Sequence, residues 1–256
     1  MHPLNNVIIP TAHGMMIINR HEANFAFGVS KALVDQGTYE PAEVGFFRAI
    51  VQALPPQCVV LDVGANIGVH TLDFARDCSP KGGIVHAFEA QRIVFQMLCG
   101  NVALNSLENV MAHHCAVGLD CGTLNMPRID YGVPTSFGSV ELGTGQQRES
   151  IGQALHWDAL GEQVPLLSLD SLALPRADFI KIDVEGMELD VLNGADQLIT
   201  QHKPVLYIEF IKTDASALKD WLVGHGYEIA QANRLNWVAT HPENPCVRVN
   251  GLPLVA

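Results

Sequence analysis

Five short runs of β-branched and aromatic residues constrain this chain most: CVVLDV at 58–63, GIVHAF at 83–88, NVMAHHC at 109–115, FIKIDV at 179–184 and PVLYIEF at 204–210. Each has the length of a strand and is apolar enough to be buried on both faces. Between them, GVHTLDFARDC, QRIVFQMLCGNVALN, ELDVLNGADQLITQH and ASALKDWLVGHG carry apolar residues at helical spacing. That alternation predicts an α/β fold with a doubly wound, mostly parallel sheet, joined by right-handed crossovers. A last pair of runs, YEIA at 227–230 and NWVAT at 236–240, predicts an antiparallel hairpin at one sheet edge.

Two regions stand outside the alternation. Residues 1–52 read as an N-terminal appendage, with a candidate helix from about Pro41 (PAEVGFFRAIVQAL) placed to lie across the sheet as a lid. Residues 53–256 form the main domain, and 121–150, rich in Gly and turn formers, read as a substrate-facing insertion.

The net charge of −12 argues against a nucleic-acid partner, which would draw on clustered Lys and Arg. The six cysteines form no C-x-x-C pair, and several sit in apolar runs, as reduced thiols in a cytoplasmic protein do. No secretory signal and no membrane-spanning stretch is apparent, so no membrane insertion is expected. A homodimer is the default expectation.

VVLDVGANIGVHTLDFA is a strand, a glycine turn and a helix start in succession, at the strand end where open α/β sheets bind ligands. Gly64 and Gly68 allow close backbone approach, but G-A-N-I-G lacks the middle glycine that makes room for a dinucleotide's pyrophosphate. Asp62 would repel phosphate and suit a cationic amino acid. Glu89, 27 positions beyond Asp62, is placed to accept hydrogen bonds from both hydroxyls of a ribose. An adenosine, a sulfonium and an amino-acid tail meet these features together in S-adenosylmethionine.

DVGANIG, AFEA, NVALN, AVG and KIDVEGMELDVLNGA followed by PVLYIEF closely resemble the FkbM family of methyltransferases, over roughly residues 38 to 230. The resemblance implies a class I methyltransferase fold, S-adenosylmethionine as donor, and a hydroxyl acceptor on a sugar, glycan or secondary metabolite. Carried over by residue, Asp62, Gly64, Asn66 and Gly68 match the donor loop, Glu89 the ribose acid, Ala116 and Val117 the stretch beside the adenine, and Asp183 the acid beside the methyl. Tyr39 and Glu40 match a GxYE stretch that would close over the donor's methionine end. Ala90 with Gln91 departs from the family's proline after the acid.

Methyl transfer from a sulfonium to oxygen needs alignment and removal of a proton. Lys181, Asp183 and Glu185 would share one side of a strand, with Asp183 the first choice as base. Lys181 either neutralises the acids around it or is a buried ion-pair partner, and Glu185 reads as a helix-start acid. Glu209 would line the pocket beside Asp183. A divalent metal held by those two is conceivable but not favoured, since no dense acidic or His cluster is apparent. His70, His113 and His114 read as packed or capped residues rather than bases. The rival readings are a nicotinamide-dependent oxidoreductase, a nucleic-acid methyltransferase, and a non-catalytic binder of S-adenosylmethionine.

Overall fold

A computed structural model describes residues 4–142, 147, 149–157, 161–244, 246–247 and 255. The central sheet has seven strands: β3 (Val59–Val63), β4 (Ile84–Glu89), β5 (Val110–His114), β9 (Phe179–Ile182), β10 (Val205–Glu209), β11 (Glu228–Gln231) and β12 (Asn236–Thr240). Their spatial order is β11-β12-β10-β9-β3-β4-β5. The five expected strands run parallel to one another. The β11–β12 hairpin is antiparallel, with β12 against β10 and β11 outermost. The fold is thus the doubly wound α/β architecture read from the alternation.

Helices cover both faces. On one, α3 (Pro41–Ala53) and α4 (Val69–Cys78) pack Phe47, Ile50, Val51 and Phe74 onto Val60, Val85, Phe179 and Tyr207. On the other, α6 (Glu188–Asn193), α7 (Asp196–His202) and α8 (Ala215–Gly224) cover Leu61, Ile180, Ile182, Leu206 and Ile208. α5 (Arg92–Leu104) follows β4 and buries Leu98 near Ala87. Alternating strand residues therefore face opposite layers, as period two requires. Among the described residues no helix is long and apolar enough to cross a membrane.

Residues before β3 hold more structure than expected. β1 (Asn6–Thr11) and β2 (Gly14–Asn19) form a separate antiparallel hairpin, followed by α1 (Arg20–Ala23) and α2 (Val29–Gln36). The hairpin packs Met16 and Ile18 against Leu33, Val94, Met97 and Phe137. Asn101 pins it to α5: its Oδ1 accepts the Ile17 N–H and its Nδ2 donates to the Ile17 carbonyl, at 2.5 and 3.2 Å. α3 lies across the sheet, with its apolar stripe packed on the strands and α4, while α2, the residues just before it, Tyr39 and Glu40 line the cavity.

The 121–150 region contributes one strand, β7 (Gly122–Asn125), to a small second sheet whose other two strands, β6 (Ala116–Val117) and β8 (Gln163–Leu167), flank it in sequence. The spatial order is β6-β8-β7. Positions 143–146 and 148 of that region lie outside the described residues.

Candidate functional site

The carboxyl ends of β3, β4 and β9 open onto a cavity of about 630 Å³, a size usual for small-molecule sites. Gly28, Lys31, Asp35, Tyr39 and Glu40 line it from the N-terminal segment, and Ser136, Ser139 and Leu142 from the 121–150 region. Both regions outside the parallel alternation therefore contribute walls.

The turn after β3 sets the cavity floor. Gly64 has φ +83°, and a Cβ there would meet the carbonyl oxygen of Asp183 at 1.8 Å, so only glycine lets this turn pass the β9 end. Asn66, at φ +51°, lines the cavity and donates its backbone N–H to Glu89 Oε2 at 3.0 Å. Gly68, at φ +90°, does not line the cavity; a Cβ there would meet Leu98 Cδ1 at 2.5 Å, so its bareness serves the packing of α5 on α4.

Glu89 ends β4 with its carboxylate already oriented. Oε1 accepts the Gln91 N–H at 2.7 Å and Oε2 that of Asn66. Burial outweighs those bonds and pushes its acid up to about 7. Gln91, marked in the sequence only as part of the departure from the family's proline, ties the roof to this corner: Nε2 donates to the Phe137 carbonyl at 2.7 Å, and Oε1 accepts the Tyr131 hydroxyl at 3.1 Å. Ala116 and Val117 supply an apolar wall beyond Glu89.

Asp62 lies elsewhere than its place in the motif suggested. It is fully buried and is not among the cavity-lining residues. Its Oδ2 accepts the Thr71 hydroxyl at 2.6 Å, and its Oδ1 sits 3.6 Å from Lys181 Nζ. Lys181 is 4% exposed, touches the cavity, and reaches Asp183 Oδ2 at 3.3 Å. Burial disfavours its charge, but Asp183, Asp62 and Glu43 overcome that and hold the ammonium above its usual range. Lys181 thus combines both roles considered for it, a buried ion-pair partner that also neutralises the acids at the cavity.

β9 stops at Ile182, so Lys181, Asp183 and Glu185 do not continue one strand face. Glu185 takes φ +57° ahead of Gly186 at +104°, and α6 starts only at Glu188. The helix-start reading of Glu185 is therefore corrected: it sits in a tight turn, ion-paired to Lys212, which also reaches Glu149 at 3.3 Å. Glu188 holds that turn, its Oε1 accepting N–H bonds from Val184 and Gly186 at 3.2 and 3.0 Å. Glu209 lies beside Asp183 and Glu185 but does not line the cavity, which corrects its placement as a pocket wall. Burial, then Asp183 and Glu185, push its acid up to about 9, and its Oε2 is buried without a hydrogen bond.

Of the histidines, His113 hydrogen-bonds His86 at 3.0 Å, and His114 Nε2 lies 3.2 Å from the Ala90 carbonyl; neither lines the cavity. His70 does. Burial, with Lys181 and His13 adding to it, pushes its imidazole well below the usual range, so the ring is neutral. The expectation of no acidic or histidine cluster is corrected as well. Glu40, Glu43 and His70 bring ligand-type atoms within 4.8 Å of one another, and so do Asp183, Glu185 and Glu209. Both groupings join distant segments, so residue spacing carried no sign of the first.

A sequence profile described as the methyltransferase FkbM domain matches residues 62–229, well over half of the chain. The chain belongs to the FkbM methyltransferase family. Methyltransferase sdnD of Sordaria araneosa is 33% identical over 165 residues, covering 56% of this chain and 62% of its own length. Methyltransferase 1 of Beauveria bassiana is 28% identical over 199 residues, covering 73% and 78% respectively. The AMB antimetabolite synthetase AmbE of Pseudomonas aeruginosa is 28% identical over 88% of this chain, which spans only 11% of that protein. The crystal structure of a methyltransferase FkbM from Methylobacillus flagellatus superposes with a TM-score of 0.51 at 20% identity, over 73% of this chain and 44% of that one. That likeness supports the class I methyltransferase fold. The FkbM match begins at Asp62 and ends in β11, so it contains Glu89, Asp183 and Glu188 and leaves out Tyr39, Glu40 and Glu43.

Proposed function

We propose that this FkbM methyltransferase uses S-adenosylmethionine to methylate a hydroxyl of a sugar, glycan or secondary metabolite. The observation that carries the reading is Glu89: a carboxylate at the cavity, with each oxygen fixed by one backbone N–H and lone pairs left for two vicinal hydroxyls. A ribose fits that arrangement, and Ala116 and Val117 offer an apolar surface for the attached base. Gly64 and Asn66 would lie under the nucleoside, and Tyr39 would face the amino-acid end.

S-adenosylmethionine supplies an electrophilic methyl group on a cationic sulfur. The chain's part is to align an acceptor oxygen with it and take the acceptor's proton. Asp183, half-buried and lining the cavity, is the proposed base. Lys181 holds Asp183 in place through their 3.3 Å contact, and its own proton is kept by the carboxylates around it. Asp62 acts behind Lys181 as a positioning residue.

Calorimetry tests the donor: S-adenosylmethionine and S-adenosylhomocysteine are expected to bind and NAD is not. Binding of NAD alone would replace this reading with the oxidoreductase one. With the donor established, formation of S-adenosylhomocysteine across a panel of hydroxylated sugars and metabolites tests the acceptor class.

A further inference from the structure

At the start of α3, a second cluster of potential ligands meets the cavity. Glu43 Oε1 is fully engaged, accepting from the Tyr207 hydroxyl, from Asn233 Nδ2 at 2.8 Å and from Asn236 Nδ2 at 3.1 Å. Those three donors orient the carboxylate and leave Oε2 turned toward His70, whose Nε2 lies 3.8 Å away. That separation is too long for a hydrogen bond. His70 is 92% buried, and its Nδ1 is sealed from solvent without a hydrogen-bond partner. Glu40, at the cavity mouth, hydrogen-bonds Glu43. It precedes the first turn of α3 and makes no capping bond, so its carboxyl group meets Glu43 rather than the helix backbone.

Two carboxylates and a neutral imidazole are a mixed oxygen and nitrogen donor set. Two ligands about 2.0–2.2 Å from one ion stand at most about 4.4 Å apart, and the three ligand atoms here lie within 4.8 Å of one another before any ion draws them in. Charge points the same way: Glu40, Glu43, Asp62 and Asp183 gather around Lys181, which stands 3.6 Å from Asp62 and 3.3 Å from Asp183. We propose that Glu40, Glu43 and His70 form a binding site for a divalent first-row transition ion in the cavity wall.

The imidazole favours such an ion over Mg²⁺, whose preferred ligands are oxygens. Three protein ligands leave coordination positions open, the pattern of a reactive rather than a structural site. Because Glu40, His70 and Asp183 all line one cavity, an ion here would offer those positions to an acceptor's oxygen. That use rests on the methyltransferase reading above, whereas the binding itself does not. The Asp183, Glu185 and Glu209 cluster is the weaker candidate: it has no nitrogen donor, and Glu185 already pairs with Lys212.

The test uses the full chain stripped with EDTA and dialysed, then titrated with Mn²⁺, Zn²⁺ or Mg²⁺, with bound metal measured by mass spectrometry. Co²⁺ ligand-field absorption reports the nitrogen donor. One Mn²⁺ or Zn²⁺ per chain is expected, with little Mg²⁺ uptake. His70→Gln and Glu43→Gln should each weaken uptake at least about tenfold, and Glu209→Gln should leave it unchanged. No stoichiometric uptake by the wild type, uptake that survives both cluster variants, or loss with Glu209→Gln instead, would each overturn the site. Circular dichroism checks folding. Should His70→Gln and Glu43→Gln not fold, Glu40→Gln, on an exposed residue, carries the same expectation. S-adenosylmethionine calorimetry on the same stripped protein separates the two proposals, since metal uptake without donor binding sinks only the donor reading.

Discussion

Asp62 and Lys181 are register partners on adjacent parallel strands, and the Lys181 ammonium stands 3.6 Å from the Asp62 carboxylate inside the sheet layer. Tyr207 is the next partner across, opposite Lys181 on β10, and its hydroxyl meets Glu43 from α3. A row of polar groups therefore crosses a face otherwise packed with Phe47, Phe74 and Phe179. In that setting each charge depends on its neighbour, because an unpaired ion in an apolar layer is costly.

Lys181→Met should consequently act on stability as well as on turnover. It strands the buried Asp62 carboxylate beside only the Thr71 hydroxyl. A loss of about 3–5 kcal/mol is expected from denaturant unfolding. Pairing it with Asp62→Asn should recover part of that loss, and a double variant no more stable than Lys181→Met would show that the pair is not coupled.

Donor binding should depend on pH through Glu89. Its folded-state acid lies at about 7, and hydrogen bonds from ribose hydroxyls favour the carboxylate. Affinity for S-adenosylmethionine should rise up to about tenfold per pH unit below 7 and level off above it. Calorimetry from pH 5.5 to 8.5 reads the profile, and Glu89→Gln should both weaken binding and flatten it.

Stability of the unliganded protein should move in the opposite sense. Glu185 and Glu209 have acids raised to about 8 and about 9, chiefly by burial, so folding favours their protonated forms. Raised carboxyl groups contribute stability at low pH that is lost as pH climbs through their folded-state values. The melting temperature should fall from about pH 5, where the unfolded carboxyls ionise, and level off near pH 9. Glu209→Gln should flatten that fall, with an advantage over the wild type that grows from about pH 5 to about pH 9.

Gly64→Ala should be poorly tolerated. At φ +83° an alanine adds about 1–3 kcal/mol of backbone strain, before its Cβ meets the Asp183 carbonyl. Chemical unfolding should show a loss at the upper end of that range or beyond, and donor binding should weaken with it. Gly45→Ala, in mid-α3 with open space around its Cβ, is the control and should be neutral or stabilising.

Asp183→Asn should keep donor affinity within a few-fold of wild type and lower turnover by about 10²–10⁴. Single-turnover assays with a hydroxyl acceptor separate the two effects. Full turnover would transfer the proton to another group.

The parallel sheet, its hairpin edge and the place of the glycine turn were legible because they rest on short-range patterns: apolar runs, helical spacing, and a Gly64 turn that only a bare backbone satisfies. The β1–β2 hairpin was written in two apolar runs flanking the turn at Ala12 and His13, but nothing local says that it docks on α5 through Asn101. Asp62 could be matched to a motif, whereas its removal from the cavity follows from its pairing with Lys181, whose place depends on which strands become neighbours. Glu43, Tyr207, Asn233 and His70 lie on separate segments, and only the closing of α3 over the sheet brings them together. Local sequence determined the elements and the donor-side turn. The buried polar row and the Glu40, Glu43 and His70 cluster were decided by tertiary structure, because they arise from long-range strand register and helix packing that residue spacing does not encode.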